Sequence, residues 1–154
     1  MAVTITTINS YVTLANAEIY FENRLYSDVW EDASENDKKR ALITSTKSIE
    51  RLNFAGIKAD EDQVLQFPRN DDSSVPAAVT DSVCENALAL LDDKDIEVEI
   101  ERMRIKSEKI TDITTSYDTT YAPENVMAGI ASATAWMMLK PYLRDAGILK
   151  VRKV

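Results

Sequence analysis

Residues 126–139, VMAGIASATAWMML, run for fourteen positions without a charge and stop against Lys140 and Pro141. A helical bilayer span needs about 20 apolar residues, so this stretch is too short to cross a membrane. A helix apolar on every side must then be enclosed by protein. Pro123 suits a first helical turn, and Glu124 favours the positive end of the helix dipole. Gly129, Ala131, Ala133 and Ala135 admit close neighbours, while Trp136, Met137 and Met138 fill space. The stretch is expected to be one core helix on which the others pack, with Trp136→Ala costing about 3–5 kcal/mol.

The rest of the chain is far more polar. A length of 154 residues suits a single domain, 1–154, with a real hydrophobic core. Only three glycines and four prolines argue for helices over a many-turned β fold. No basic-then-apolar leader opens the chain, so a cytoplasm-like setting is expected. There is no histidine, which removes Ser-His-Asp and Cys-His catalysis and His-ligated metals. Cys84 stands alone in an apolar helical stripe, where a small core residue is expected instead of a nucleophile. The net charge of −8 opposes electrostatic wrapping of duplex DNA.

Helical periodicity accounts for most of the first half. Thr13 can cap a helix from Leu14 whose inner arc is Leu14, Ala17, Phe21 and Leu25. Residues 27–37 carry Asp28, Glu31, Asp32, Glu35 and Asp37 with no base, and fit a solvated loop better than a metal or partner patch. Ser34 and Asp37 resemble a capping box ahead of a helix over 35–52. Its inward stripe is Ala41, Leu42, Ser45, Ile49 and Leu52, and Lys39, Arg40, Lys47, Glu50 and Arg51 face away. Lys38-Lys39-Arg40 is the one compact basic triplet, a solvated face or a contact for phosphate or an acidic partner. Residues 57–75 form a polar connector with one apolar island, Val64 to Arg69, expected to tuck a loop onto the core. Its acids fail the EF-hand spacing, since the turn glycine and closing glutamate are missing. The next helix runs from Pro76 to about Leu91 and has so little polar surface that it must face more than one neighbour.

The second half is mixed. Asp92, Asp93, Asp95, Glu97, Glu99 and Glu101 oppose only Lys94 within residues 92–101, and both strand and helix periods fit. Residues 105–117 favour β structure and are expected to form a hairpin-like arm whose edge needs a neighbouring chain. Residues 140–154 reverse the charge, with Lys140, Arg144, Lys150, Arg152 and Lys153 against Asp145. Apolar Ile148, Leu149, Val151 and Val154 interleave with those bases, which suits docking on an acidic, partly apolar surface. The fold expected is mainly α: a bundle of about four helices with a protruding arm and an extended C-terminal tail over 144–154.

No catalytic constellation emerges. Asp81 followed by Asp92-x-Lys94 superficially fits a restriction-type nuclease, but that motif needs its second element on a strand. Isolated Gly56, Gly129 and Gly147 make no phosphate loop. The expectation is no enzyme, no cofactor and no metal.

The order of motifs carries a resemblance. Ser10-Tyr11-Val12-Thr13-Leu14-Ala15, then Ala41-Leu42-Ile43 with Arg51-Leu52-x-Phe54-x-Gly56, lead to Leu65-x-Phe67-Pro68-Arg69. Val75-Pro76-x-Ala78-Val79, Glu85-x-Ala87-Leu88-Ala89-Leu90-Leu91, Ile105-Lys106-Ser107-Glu108-Lys109-Ile110, Ser116-Tyr117 and Pro141-Tyr142-Leu143 follow. Together they resemble the head–tail adaptor, or head-completion, proteins of tailed bacteriophages, part of which is catalogued as DnaT-like single-stranded DNA-binding proteins. Phe67 stands where those relatives often carry Trp, and residues 92–103 are more acidic than the pattern.

The resemblance implies a virion neck protein, made in the bacterial cytoplasm, that forms a ring of about twelve subunits below the portal. Arg144, Ile148, Leu149, Lys150, Val151, Arg152, Lys153 and Val154 would dock on the portal. Ile105, Lys106, Ile110, Ile113, Thr115 and Tyr117 would meet a neighbouring subunit or the next neck protein. Asp92, Asp93, Asp95, Glu97 and Glu99 would line the channel, where negative charge lets duplex DNA slide without specific binding. No membrane is involved. The alternative is a single-stranded DNA-binding replication accessory using Tyr117 or Tyr121 as its aromatic platform.

Overall fold

The computed structural model describes residues 2–104, 107–110, 113–116 and 123–144. Helix α1, Leu14–Glu22, begins where Thr13 leaves extended backbone and its side chain accepts from the Asn16 N–H. A short helix α2, Asp28–Asp32, follows within the stretch expected to be loop. It exists to seat Trp30, which is only 1% exposed. Trp30 stacks on Phe21 with ring centroids 4.2 Å apart, and its indole N–H donates to Glu18 at 3.0 Å. An indole that satisfied needs no solvent, so the acidic segment folds over it.

Helix α3, Glu35–Glu50, is capped as expected by Ser34, whose hydroxyl oxygen accepts from the Asp37 N–H at 3.2 Å. Ala41, Leu42, Ser45 and Ile49 are buried along it. Helix α4, Ala77–Leu91, is the true centre of the molecule: Val79 and every residue from Ser82 to Ala89 are buried. It packs chiefly on α3 and α7, with α2 and α1 as lesser neighbours. The several neighbours anticipated for it are therefore supplied by its own chain.

The uncharged stretch is not one enclosed helix. It divides into α6, Glu124–Met127, and α7, Ala133–Leu139. The break has a visible cause. Asn86 on α4 presents its side-chain oxygen to the N–H groups of Ala131 at 2.9 Å and Ser132 at 3.3 Å. In a continuous helix those donors would bond four residues back. Gly129 takes φ +79°, a left-handed value that glycine accepts without strain. Ser132 then caps α7, its hydroxyl accepting from Ala135 at 3.1 Å. Enclosure fails as well: Met127 is 63% and Met137 72% exposed, and Trp136 is only half-buried. Ile130, Ala135 and Leu139 alone reach the core completely.

The connector is fastened by polar groups. Tyr11 donates its hydroxyl to Glu50 and accepts from the Phe67 N–H at 3.1 Å. The Gln66 side-chain amide donates to the Glu50 and Leu52 carbonyls at 2.8 and 3.0 Å, closing the end of α3. Phe67 is buried, as its place in the apolar island predicts, edge-on to Tyr11, Phe54 and Tyr142. Arg69 is buried too, donating to the carbonyls of Ala55 at 2.9 Å, Gly56 at 2.7 Å and Gln66 at 3.2 Å. Glu50 thus turns inward, against its expected outward face.

Helix α5, Ile96–Arg104, resolves the ambiguous acidic stretch in favour of a helix. Strands β1, Ser107–Ile110, and β2, Ile113–Ser116, pair antiparallel with Ile110 opposite Ile113. The turn and flanks of this ladder lie outside the described residues, so a protruding arm is not part of the described fold. A single 3-10 turn, Lys140–Tyr142, ends the described helical structure. The architecture is mainly α.

Candidate interaction surfaces

Arg144 is the one member of the expected docking tail within the described residues. Its backbone N–H donates to the Asn53 carbonyl at 2.9 Å, while its side chain is exposed. With Ala55 N–H to the Tyr142 carbonyl, also 2.9 Å, this lays the last described residues along the exit of α3. Ile148, Leu149, Lys150, Val151, Arg152, Lys153 and Val154 lie outside the described residues, as do Ile105, Lys106 and Tyr117. Ile110, Ile113 and Thr115 fall in the two-stranded ladder.

The five expected channel acids sit at the α4–α5 junction. Asp92, Asp93, Asp95 and Glu97 are exposed and Glu99 is half-buried. Two have local structural tasks. Asp95 caps α5 by accepting from the Glu97 N–H at 2.9 Å, and Glu99 pairs with Arg102 at 3.2 Å. Asp93, Asp95 and Glu97, with α3, border an open groove of about 990 Å³. Its floor is Ala41, Leu90, Leu91 and Ile96; Asp32, Asp37, Asp93, Asp95 and Glu97 stand along it with Arg40, Arg51 and Lys94.

The basic triplet is already spent within the fold. Lys38 reaches Glu18 at 3.1 Å, Lys39 pairs with Glu35, and Arg40 meets Asp37 at 2.9 Å. Lys38 also lies 5.4 Å from the Trp30 ring centre. Glu35 and Asp37 are held below the usual carboxylate range, Glu35 chiefly by Lys39 and Asp37 by Ser34 and then Arg40. A phosphate would have to displace these partners.

The buried polar cluster lies elsewhere. Glu85 is buried on α4 and receives Arg24 through two bonds, 2.6 and 2.9 Å, plus the Tyr20 hydroxyl at 2.7 Å. Burial works against its charge, but Arg24 and Tyr20 outweigh it and hold its pKa below the ordinary value. Tyr20 is pushed up by burial and by Glu85, and Asp81 by burial and then Glu85. Burial pushes the Cys84 thiol up to about 12, consistent with an unreactive core cysteine.

Arg24 also donates to the carbonyls of Leu25 at 2.6 Å and Tyr26 at 2.9 Å. That grip holds Tyr26 at φ +60° with 86% of its surface exposed, in a cleft that Lys94 also lines. Sequence reasoning gave Tyr26 no role. Its only signal was an aromatic between a helix end and an acidic segment.

The nuclease arrangement is not assembled. Asp81 lines a cleft with Tyr11 and Tyr20, whereas Asp92 and Lys94 line another beside Tyr26. Eleven residues of α4 separate the two acids, about 16 Å of helix. Among the described residues no group of three His, Cys, Asp or Glu side chains is placed to hold a metal. No described helix is long and apolar enough to cross a membrane.

The body is mainly helical and is fastened internally by buried polar contacts among Glu85, Arg24, Tyr20, Asn86 and Arg69. The chain belongs to the family described as "Putative DnaT-like ssDNA binding protein", whose model matches residues 3–154. No curated protein and no solved structure matches it.

Proposed function

We propose that this chain is a non-enzymatic assembly protein, the adaptor of a tailed-phage neck, which forms a ring below the portal and extends the DNA channel toward the tail. The observation that supports this reading most directly is the outer face of α7. On α7, Ala133, Thr134 and Met137 share one helical face and are exposed, with the exposed Glu124–Lys140 pair nearby against Trp136. An uncharged strip of that kind suits burial against a neighbouring subunit. In the ring the acids at the α4–α5 junction would face the passing duplex, and the tail over 148–154 would meet the portal. Co-purification with a portal protein tests this, using the intact chain and one lacking 148–154. Binding lost on truncation is expected. Equal binding by a folded truncated chain would remove the tail's docking role, and no binding by either would remove the adaptor reading.

The second reading is binding of single-stranded DNA, and family membership favours it over the first. Tyr26 gives it a physical basis that Tyr117 and Tyr121, outside the described residues, do not. An exposed aromatic ring in a cleft that a lysine also lines is the kind of element on which unstacked bases can lie. The acidic balance and the internally paired triplet oppose it. Anisotropy of a labelled oligothymidine, measured at low salt and again as salt rises, decides between them. Binding that weakens steeply with salt and is lost in Tyr26→Ala supports it; no binding at low salt removes it.

A further inference from the structure

We infer that the cleft between α1 and the first half of α4 binds a cationic side chain, the ammonium of a lysine presented by a partner protein, with Asp81 as its counter-charge. The cleft measures about 280 Å³, at the lower edge of ligand-pocket sizes, which suits one side chain and excludes a folded segment. Tyr11, Val12, Ile19 and Tyr20 wall it, and Asp81 is the one charged residue along it.

The charges on α4 leave Asp81 unmatched. Asp81 and Glu85 stand four residues apart, hence on one face of the helix, where like charges repel. Arg24 answers only Glu85, giving it two bonds, and the Tyr20 hydroxyl goes to Glu85 as well. Among the described residues Asp81 has neither a side-chain hydrogen bond nor an ion pair. Its half-buried carboxyl is pushed up by burial and then by Glu85, and no cation pulls it back. A partly dehydrated carboxylate without a counter-charge carries a cost that an arriving cation removes.

The rest of the cleft fits an alkylammonium. Val12 and Ile19 suit the methylene stem of a lysine, and tyrosine rings attract its charge. Asn16, exposed and lining the same cleft, adds a neutral side-chain carbonyl as a further acceptor. A protein, and not a free amine, is the source that the surroundings favour. Ala15 and Ile19, one turn apart on α1, are both exposed, Ile19 by 58%. A free amine would leave that apolar rim wet, whereas the segment carrying the lysine covers it. The chain's net charge of −8 draws a basic partner toward it. This site rests on neither reading above, since it calls for no ring and no nucleic acid.

The test is a nuclear magnetic resonance titration of the full chain with Nα-acetyl-lysine methylamide. Its norleucine counterpart, which has the same stem and no ammonium, is the control. The lysine compound is expected to shift the amide signals of Asn16, Thr80 and Asp81 and to lower the pKa of the Asp81 carboxyl. The norleucine compound is expected to do neither. Asp81→Asn should weaken lysine binding at least about tenfold, the lower range for a hydrogen bond to a charged group, with helical circular dichroism unchanged. The carboxyl titration uses the native chain, so it decides the matter even where the variant fails to fold. Equal responses to the two compounds, an Asp81 pKa that does not move, or undiminished binding by Asp81→Asn would overturn the proposal. Putrescine binding tenfold tighter than the lysine compound would overturn the partner protein in favour of a free polyamine.

Discussion

Arg24 and Glu85 form a two-point ion pair across the α1–α4 contact, Nε to Oε1 at 2.6 Å and the second guanidinium nitrogen to Oε2 at 2.9 Å. The same guanidinium holds the carbonyls of Leu25 and Tyr26. One residue thereby ties the central helix to the turn that presents Tyr26, the most exposed aromatic ring among the described residues.

Replacing Glu85 by Gln should destabilise the fold by about 1.5–3 kcal/mol, the worth of hydrogen bonds to a charged group. The cost stays below that of a fully buried pair because the Arg24 side chain keeps 27% exposure. The pH dependence follows from the sign of the shift. A carboxyl whose pKa is lower folded than unfolded stabilises above the unfolded value, about 4.3, and loses that contribution as pH falls through the folded value. Urea midpoints should therefore drop between pH 5 and more acidic solutions in the native chain and drop less in Glu85→Gln.

Asn86→Ala should cost about 2–4 kcal/mol, because the N–H groups of Ala131 and Ser132 lose their shared acceptor inside the protein. Hydrogen exchange at those two amides should accelerate before exchange in α3 does. Equal protection in both proteins would show that the break between α6 and α7 is held by something else.

The two tryptophans should behave unequally. Trp30→Ala is expected to cost about 3–5 kcal/mol, as for a large side chain fully within a core. Trp136→Ala should cost less than half as much, since that ring is half-buried and bonds only the exposed Glu124 at 3.1 Å. Denaturant titration of both variants checks the order.

Arg69→Met should cost at least about 2 kcal/mol, because the carbonyls of Ala55 and Gly56 lose their donor. Arg69→Lys should not restore stability, since a single ammonium cannot reach carbonyls arranged around a planar fork. Thermal melts of the three proteins are sufficient.

Met137→Glu should leave stability within about 0.5 kcal/mol, as for an exposed substitution. In the adaptor reading it should abolish ring formation on a portal template, seen by electron microscopy. Unimpaired rings would clear the α7 face of that role.

The limits of the sequence are physical. Thr13, Ser34 and the stripe from Ala41 to Ile49 were legible because caps and helical periodicity are local properties. The place of Phe67 was legible because an apolar island in a polar connector has few alternatives. The break at Gly129 was hidden, for it is imposed by Asn86, some forty residues away. Fourteen uncharged residues look alike whether a partner helix encloses them or solvent meets one side. Trp30 was hidden by the acids around it, although a lone tryptophan in an acidic run was itself a hint. Glu85 could have been found by asking what satisfies a carboxylate amid Val83, Cys84 and Ala87. As for the interaction surfaces, exposure at Tyr26 and pairing within the basic triplet depend on tertiary geometry that periodicity cannot carry.

The antiparallel bonds joining Asn53 to Arg144 and Ala55 to Tyr142 also fix a path for mechanical load. A pull applied beyond Arg144 meets the α3 exit and the Phe54–Phe67–Tyr142 aromatic group before it reaches α7. Unfolding that starts from this end must therefore open those bonds and separate those rings before the packing of α7 on α4 is exposed.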